Sequence, residues 1–176
     1  MTMTDEELKQ LQRDMRILKD IEAIKRVKHA YFRCIDTANI EELKSIFHKD
    51  VVVHFIGGTY EWTLNGREEY LEAIAANFNN EVVAQHNGHH PEIDVLGETE
   101  ATGTWYLHDN FYRLWDMHFV TGTALYRDRY VKEDGRWQIR ESRYERIYEI
   151  DHALVEPPPL TFHYLAKHGR ARPGQT

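Results

Sequence analysis

Cysteine is nearly absent from this 176-residue chain: Cys34 stands alone, so no disulfide can form within one copy. Five prolines and ten glycines are too few for a disordered or collagen-like chain, and 29% charged residues is ordinary for a globular one. No stretch approaches the roughly 18 apolar residues that a membrane span requires. Met1 to Asp20 is charged throughout, without the apolar centre of a signal peptide, and a cytoplasmic location is expected. Basic charge is in deficit, 22 against 29 acidic residues, and the balance of −7 opposes nucleic acid or an anionic membrane as partner. The chain lacks a P-loop, a G-x-G-x-x-G turn and a G-x-S-x-G elbow, so no nucleotide, dinucleotide cofactor or serine nucleophile is expected.

The most informative segment that is present runs from Asp20 to Asp36, DIEAIKRVKHAYFRCID. Ile21, Ile24, Val27 and Tyr31 recur at spacings of three and four, one face of a helix. Tyr31 occupies a place where leucine would serve packing alone, and Asp36 follows just before a helix stop. A phenol and a carboxylate delivered together to a core-facing surface are costly unless they meet partners. Leu8, Leu11, Met15 and Leu18 extend the period backward, predicting a helix over about 5–36. Its first half has little of its own domain to cover, and either packs on a neighbouring subunit or frays as an arm. Asn39 with Glu42, and Asn65 with Glu68, repeat a capping-box spacing and predict helices ending near Phe47 and Ala76.

Between them, Val51–Ile56 reads as a buried strand. From Val82 the pattern turns to strands: Val82–Leu96 and Glu100–Leu114 around Gly97-Glu98, then Thr121–Lys132 and Arg136–Tyr148 around Asp134-Gly135, the strongest hairpin signal present. Three helices followed by four long strands predict an α+β domain over 1–150, its curved, mostly antiparallel sheet curling over the helices as a cone-shaped barrel. Pro157-Pro158-Pro159 argues against further helix or central strand in the tail, 151–176, whose basic end is expected loose or draped over a neighbour.

Strand alternation places His86 and His90 of HNGHH on one face and His89 on the other, with Gly88 a candidate bulge. A third ligand is missing from any motif, so no metal is expected. His86, between Ala84 and Gly88 on a small apolar face, is a candidate general base, and Asp36 is the natural carboxylate to fix its tautomer. The bland reading is that Asp36 caps a turn and His86 merely packs. Asp109 shares a face with Trp105 and Leu107, where a carboxylate is either paired or functional. Arg140, Ser142, Tyr144, Arg146 and Tyr148 share a face of the last strand, making Arg146 a structural or orienting partner for Asp109.

The helix end YFRC-x-D, the strand QHNGHHPEI, the strand ATGTWYLHD and YERIYE, together with the DGRW hairpin, resemble the SnoaL-like branch of the nuclear transport factor 2-like superfamily. Within it they are most similar to the bacterial bile acid 7α-dehydratases. The patches span about Asp20 to Glu149. The resemblance implies a cofactor-independent hydro-lyase acting on a hydroxylated 3-oxo-4-ene steroid, free or as a coenzyme A thioester. It places catalytic roles on Tyr31, Asp36 and His86 and binding or orienting roles on Asp109 and Arg146. Phe55 and Tyr144 join as pocket residues, although His54-Phe55 stands where a pocket tyrosine belongs. A homo-oligomer is implied, a trimer ahead of a dimer. Another lyase, isomerase or polyketide cyclase of the same superfamily, or a silent ligand-binding or assembly module, fits the same layout.

Overall fold

The computed structural model describes residues 3–174, so Met1, Thr2, Gln175 and Thr176, at the ends of the expected domain and tail, lie outside it. Thr4 starts the first helix, α1 (Asp5–Asp36): its hydroxyl accepts from Glu7 N and Glu7 Oε2 accepts from Thr4 N at 2.7 Å. That capping box and three acidic residues in the first turn suit the positive end of the helix dipole. The helix stops where Ala38 takes a positive φ and Asn39 N returns to Cys34 O. Asn39 then caps α2 (Ile40–Ile46) through Glu42 N.

β1 (Phe47–Ile56) and β2 (Glu61–Asn65) form an antiparallel pair; β2 is too short to stand out in the sequence. α3 (Arg67–Asn77) starts at Gly66, not Asn65, because the entering chain needs φ near 97°, a left-handed value that suits glycine. β3 (Val82–Val95), β4 (Glu100–Arg113), β5 (His118–Glu133) and β6 (Arg136–Ala153) are long antiparallel strands. The sheet order is β2-β1-β6-β5-β4-β3, with β1 and β6 parallel. It is curved and unclosed, so the barrel has two free edges, β2 and β3. The tail does form a helix, α4 (Tyr164–His168): beyond the prolines, Leu165 buries itself, and His163 Nε2 bonds Val82 O. Among the described residues no helix is long and apolar enough to cross a membrane.

Two strand readings change through bulges. β6 shifts register between Glu141 and Ile139, and again between Tyr148 and Arg146, leaving Arg140 and Ile147 as extra residues. Each extra residue reverses the alternation. Arg140 therefore reaches back to Asp50 O, Tyr148 is exposed, and Glu149 takes the inward place expected of Tyr148. On β3 the shift lies between His89 and Glu92, around Pro91, which has no N–H for the ladder. Gly88 stays in register opposite Leu107.

Gly88 is needed for a different reason. A Cβ there would lie 1.8 Å from Phe32 Cε2, so α1 presses directly on the β3 backbone. Deeper along the helix, Lys28 Nζ sits 2.7 Å from Asp128 Oδ2, both side chains fully buried. Ser142 and Tyr130 donate to the same carboxylate, and Trp105 Nε1 donates to Tyr130. At the far end Asp20 accepts from Lys132 and Trp137. Gly88→Val should lower stability by about 1–3 kcal/mol, the usual overpacking range. Urea unfolding checks it; an unchanged midpoint would mean that the helix does not bear on β3.

Candidate active site

Helix and strand geometry bring the end of α1 to His86 on β3. Phe32 lies four residues before Asp36, about 6 Å of helix, and Gly88 lies two residues after His86, about 6.6 Å of strand. With Phe32 seated on Gly88, Asp36 must arrive at His86. Asp36 Oδ2 accepts the backbone N–H of His86 at 3.0 Å, and its Oδ1 lies 2.6 Å from His86 Nδ1. An ionised carboxylate only accepts, so Nδ1 carries a proton, and in the neutral imidazole it is then Nε2 that holds the lone pair.

His86 lines a cavity of about 380 Å³ enclosed by the sheet, α1 and α3. Tyr31, Phe55, Asp109, Tyr144 and Arg146 line it too, while Asp36 stands behind His86. His89 separates from this group, stacked on Tyr106 across the strand pair. Asp109 is the cross-strand partner of His86, so both point into the same space. Its carboxylate is held bidentately by Arg146, Nη1–Oδ1 at 2.5 Å and Nη2–Oδ2 at 2.7 Å, with both side chains buried. Contact with the buried Asp109 raises the guanidinium's proton affinity above its ordinary value despite desolvation.

Tyr31 does something the sequence does not announce. Its hydroxyl lies 3.1 Å from that of Tyr70 on α3 and 3.2 Å from that of Tyr126 on β5, forming a trio of phenols at the cavity wall. Burial pushes all three well above the usual tyrosine range, so they stay protonated. Lys28 Nζ lies 3.5 Å from the centre of the Tyr126 ring. Phe55 stacks on Tyr144 at 4.2 Å, and Tyr144 OH meets Tyr60 OH at 2.6 Å. The phenols of Tyr60 and Tyr144 thus occupy the region where Phe55 lacks one.

Glu149 completes the polar row. Its Oε2 is 3.2 Å from Arg146 Nε, and its Oε1 accepts Gly58 N from the turn that carries Tyr60. Tyr70 and Tyr126 had readable signals, a helical spacing with Ile74 and an inward alternation with Ala124 and Asp128. Glu149 had none, because its direction depends on the bulge at Ile147. Cys34 is buried, and burial followed by Glu42 raises its thiol to about 12, which leaves it no nucleophile.

The profile of the SnoaL-like domain matches residues 16–143, well over half of the chain. The chain belongs to that family. Solved structures agree on the fold. A candidate scytalone dehydratase from Novosphingobium aromaticivorans is 24% identical, with 85% of this chain and 99% of that one covered at a TM-score of 0.67. A type-3 hexachlorocyclohexane dehydrochlorinase, LinA, from Novosphingobium barchaimii is 18% identical, covering 82% and 99% at 0.70. A protein of unknown function from Mycobacterium tuberculosis is 25% identical, covering 73% and 72% at 0.63.

Within this SnoaL-like domain the cavity is largely aromatic, with the His86 imidazole and the ion pairs of Arg146 and Arg113 set into its wall. Such walls hold an apolar ligand, and the few polar groups orient it. Arg146→Gln leaves Asp109 buried without its countercharge, which should cost about 3–5 kcal/mol. Denaturant unfolding of this variant checks the value; a loss below 1 kcal/mol would show that the pair is not needed for folding.

Proposed function

We propose that this SnoaL-like protein is a cofactor-independent lyase that eliminates water from a hydroxylated 3-oxo-4-ene steroid, a bile acid 7-hydroxyl as free acid or coenzyme A thioester. One observation carries the reading: Asp36 accepts from His86 Nδ1, leaving a basic Nε2 on an imidazole that borders an apolar cavity. A carboxylate–imidazole pair has no use in passive apolar binding. The similarity of the quoted motifs to the bile acid 7α-dehydratases supplies the substrate. The dehydratase and dehydrochlorinase descriptions of its structural neighbours point to elimination more broadly.

An enone acidifies the C–H bond at its vinylogous position. Neutral His86 removes that proton through Nε2, and the electron pair moves to the enone oxygen as a dienolate. Its return forms the new double bond and breaks the adjacent C–O bond, and the hydroxyl departs as water after taking a proton from Tyr31 or from the imidazolium. Asp36 holds the tautomer and stabilises the cation. If Tyr70 and Tyr126 both donate to Tyr31, its own proton is available to the substrate. A general base contributes about 10²–10⁴-fold and one placed donor roughly 10²–10³-fold, enough together for an activated proton. Asp109 and Arg146 order the substrate beside His86, with Phe55 and Tyr144 as wall. In this reading the protein works as a homo-oligomer, a trimer by the resemblance.

Incubation with a 7-hydroxy-3-oxo-4-ene steroid should yield a dienone, absorbing further to the red than the enone. His86→Ala should lower turnover at least about 100-fold with the fold intact. Binding without conversion by the native protein would instead indicate a ligand carrier. Conversion undiminished by His86→Ala would remove the imidazole from the chemistry.

A further inference from the structure

The first eleven residues of α1 are all exposed, and Leu11, Gln12 and Met15 border a surface hollow that Lys132 of β5 also lines. Every residue from Met3 to Met15 is exposed, and the first ion pair to the body is Arg16 with Glu98 in the β3–β4 turn. Nine residues separate Met15 from the buried Ile24, and nine separate Leu11 from the buried Asp20. At 100° per residue that is half a revolution, so the stripe of Leu8, Leu11, Met15 and Leu18 faces directly away from the stripe that covers the sheet. These four are 47, 47, 47 and 59% exposed. They form a second stripe, on the side of the helix opposite the one that covers the sheet. An isolated helical arm of this length is marginal in water even with a capping box.

The spacing of the four is 3, 4 and 3, which makes Leu8 and Met15 a positions and Leu11 and Leu18 d positions of two heptads. Glu7 and Asp14 then fall at g, Gln12 and Lys19 at e. In a parallel, in-register pair each g residue meets the e residue five positions on in the other chain, so Asp14 faces Lys19 and Glu7 faces Gln12, with no like-charge contact. An antiparallel pair that stacks the same four apolar residues brings Asp14 beside its own copy. Asp14 and Lys19 are both exposed.

We infer that the arm at the start of α1 is a homotypic interface: it pairs with the same segment of a second copy of this chain as a short parallel coiled coil, directed by the Asp14–Lys19 contact. A shared axis along α1 suits two or three copies alike. The inference is independent of the proposed chemistry, since the arm lies outside the cavity.

The full chain at tens of micromolar should sediment as an oligomer. Leu11→Glu/Leu18→Glu, at positions exposed in the single chain, should keep its circular dichroism and weaken association by more than about 100-fold. Asp14→Lys or Lys19→Asp alone should weaken association, and the two together restore it. Leu18→Cys in a Cys34→Ala background should form an intermolecular disulfide in a glutathione redox buffer. A monomeric native chain, whether or not it binds phospholipid vesicles, overturns the inference. So does association untouched by the double glutamate variant, or a Leu18→Cys chain that stays reduced.

Discussion

The contact of Phe32 with the β3 backbone at Gly88 is the constraint on which the rest depends. It sets both the height of α1 above the sheet and its position along the strand. Any side chain at residue 88 would lift the helix, and a lifted helix withdraws Asp36 from His86. The dyad is thus a consequence of packing. An aromatic ring on a glycine locates the helix, and one further turn of helix and one further pair of strand residues bring the carboxylate to the imidazole.

A second device holds the same register. Asp20, Lys28 and Asp36 recur every eight residues along the inner side of α1, each paired with a different part of the sheet: Lys132 with Trp137, Asp128, and His86. Buried ionic contacts add little net stability against apolar replacements, but a helix slid by one turn would break all three and leave charges uncompensated. They act against misregister. All three are paired within the protein, and Lys28–Asp128 is out of reach of solvent altogether. Only the last borders the cavity, through His86.

What was legible in the sequence is what depends on local chemistry. The bounds of α1, the Asn39 cap and the Asp134-Gly135 hairpin follow from residue types a few positions apart, and they agree with the structure. The inward row of Trp105, Leu107 and Asp109 follows from simple alternation on a strand without bulges. The parallel pairing of β1 with β6 joins segments some ninety residues apart, and no local pattern announces it. The stripe at Leu8 to Leu18 was legible as helix but not as a separate face: spacings of three and four continue smoothly into Ile21, while the face they trace drifts around the helix until it has reached the other side.

The bulges explain why the site was read only in part. Arg146 keeps its inward direction because it precedes the extra residue at Ile147; Glu149 gains one because it follows it. An unbulged strand would turn Glu149 outward and Tyr148 inward, leaving the turn at Gly58 without its acceptor and Arg146 with one carboxylate fewer. The bulge therefore gives Arg146 two acidic neighbours, which hold its guanidinium in the plane of Asp109 and its Nε toward Tyr60. A single inserted residue, invisible to any periodicity, decides which acidic side chains join Arg146 beside Tyr60 and Tyr144.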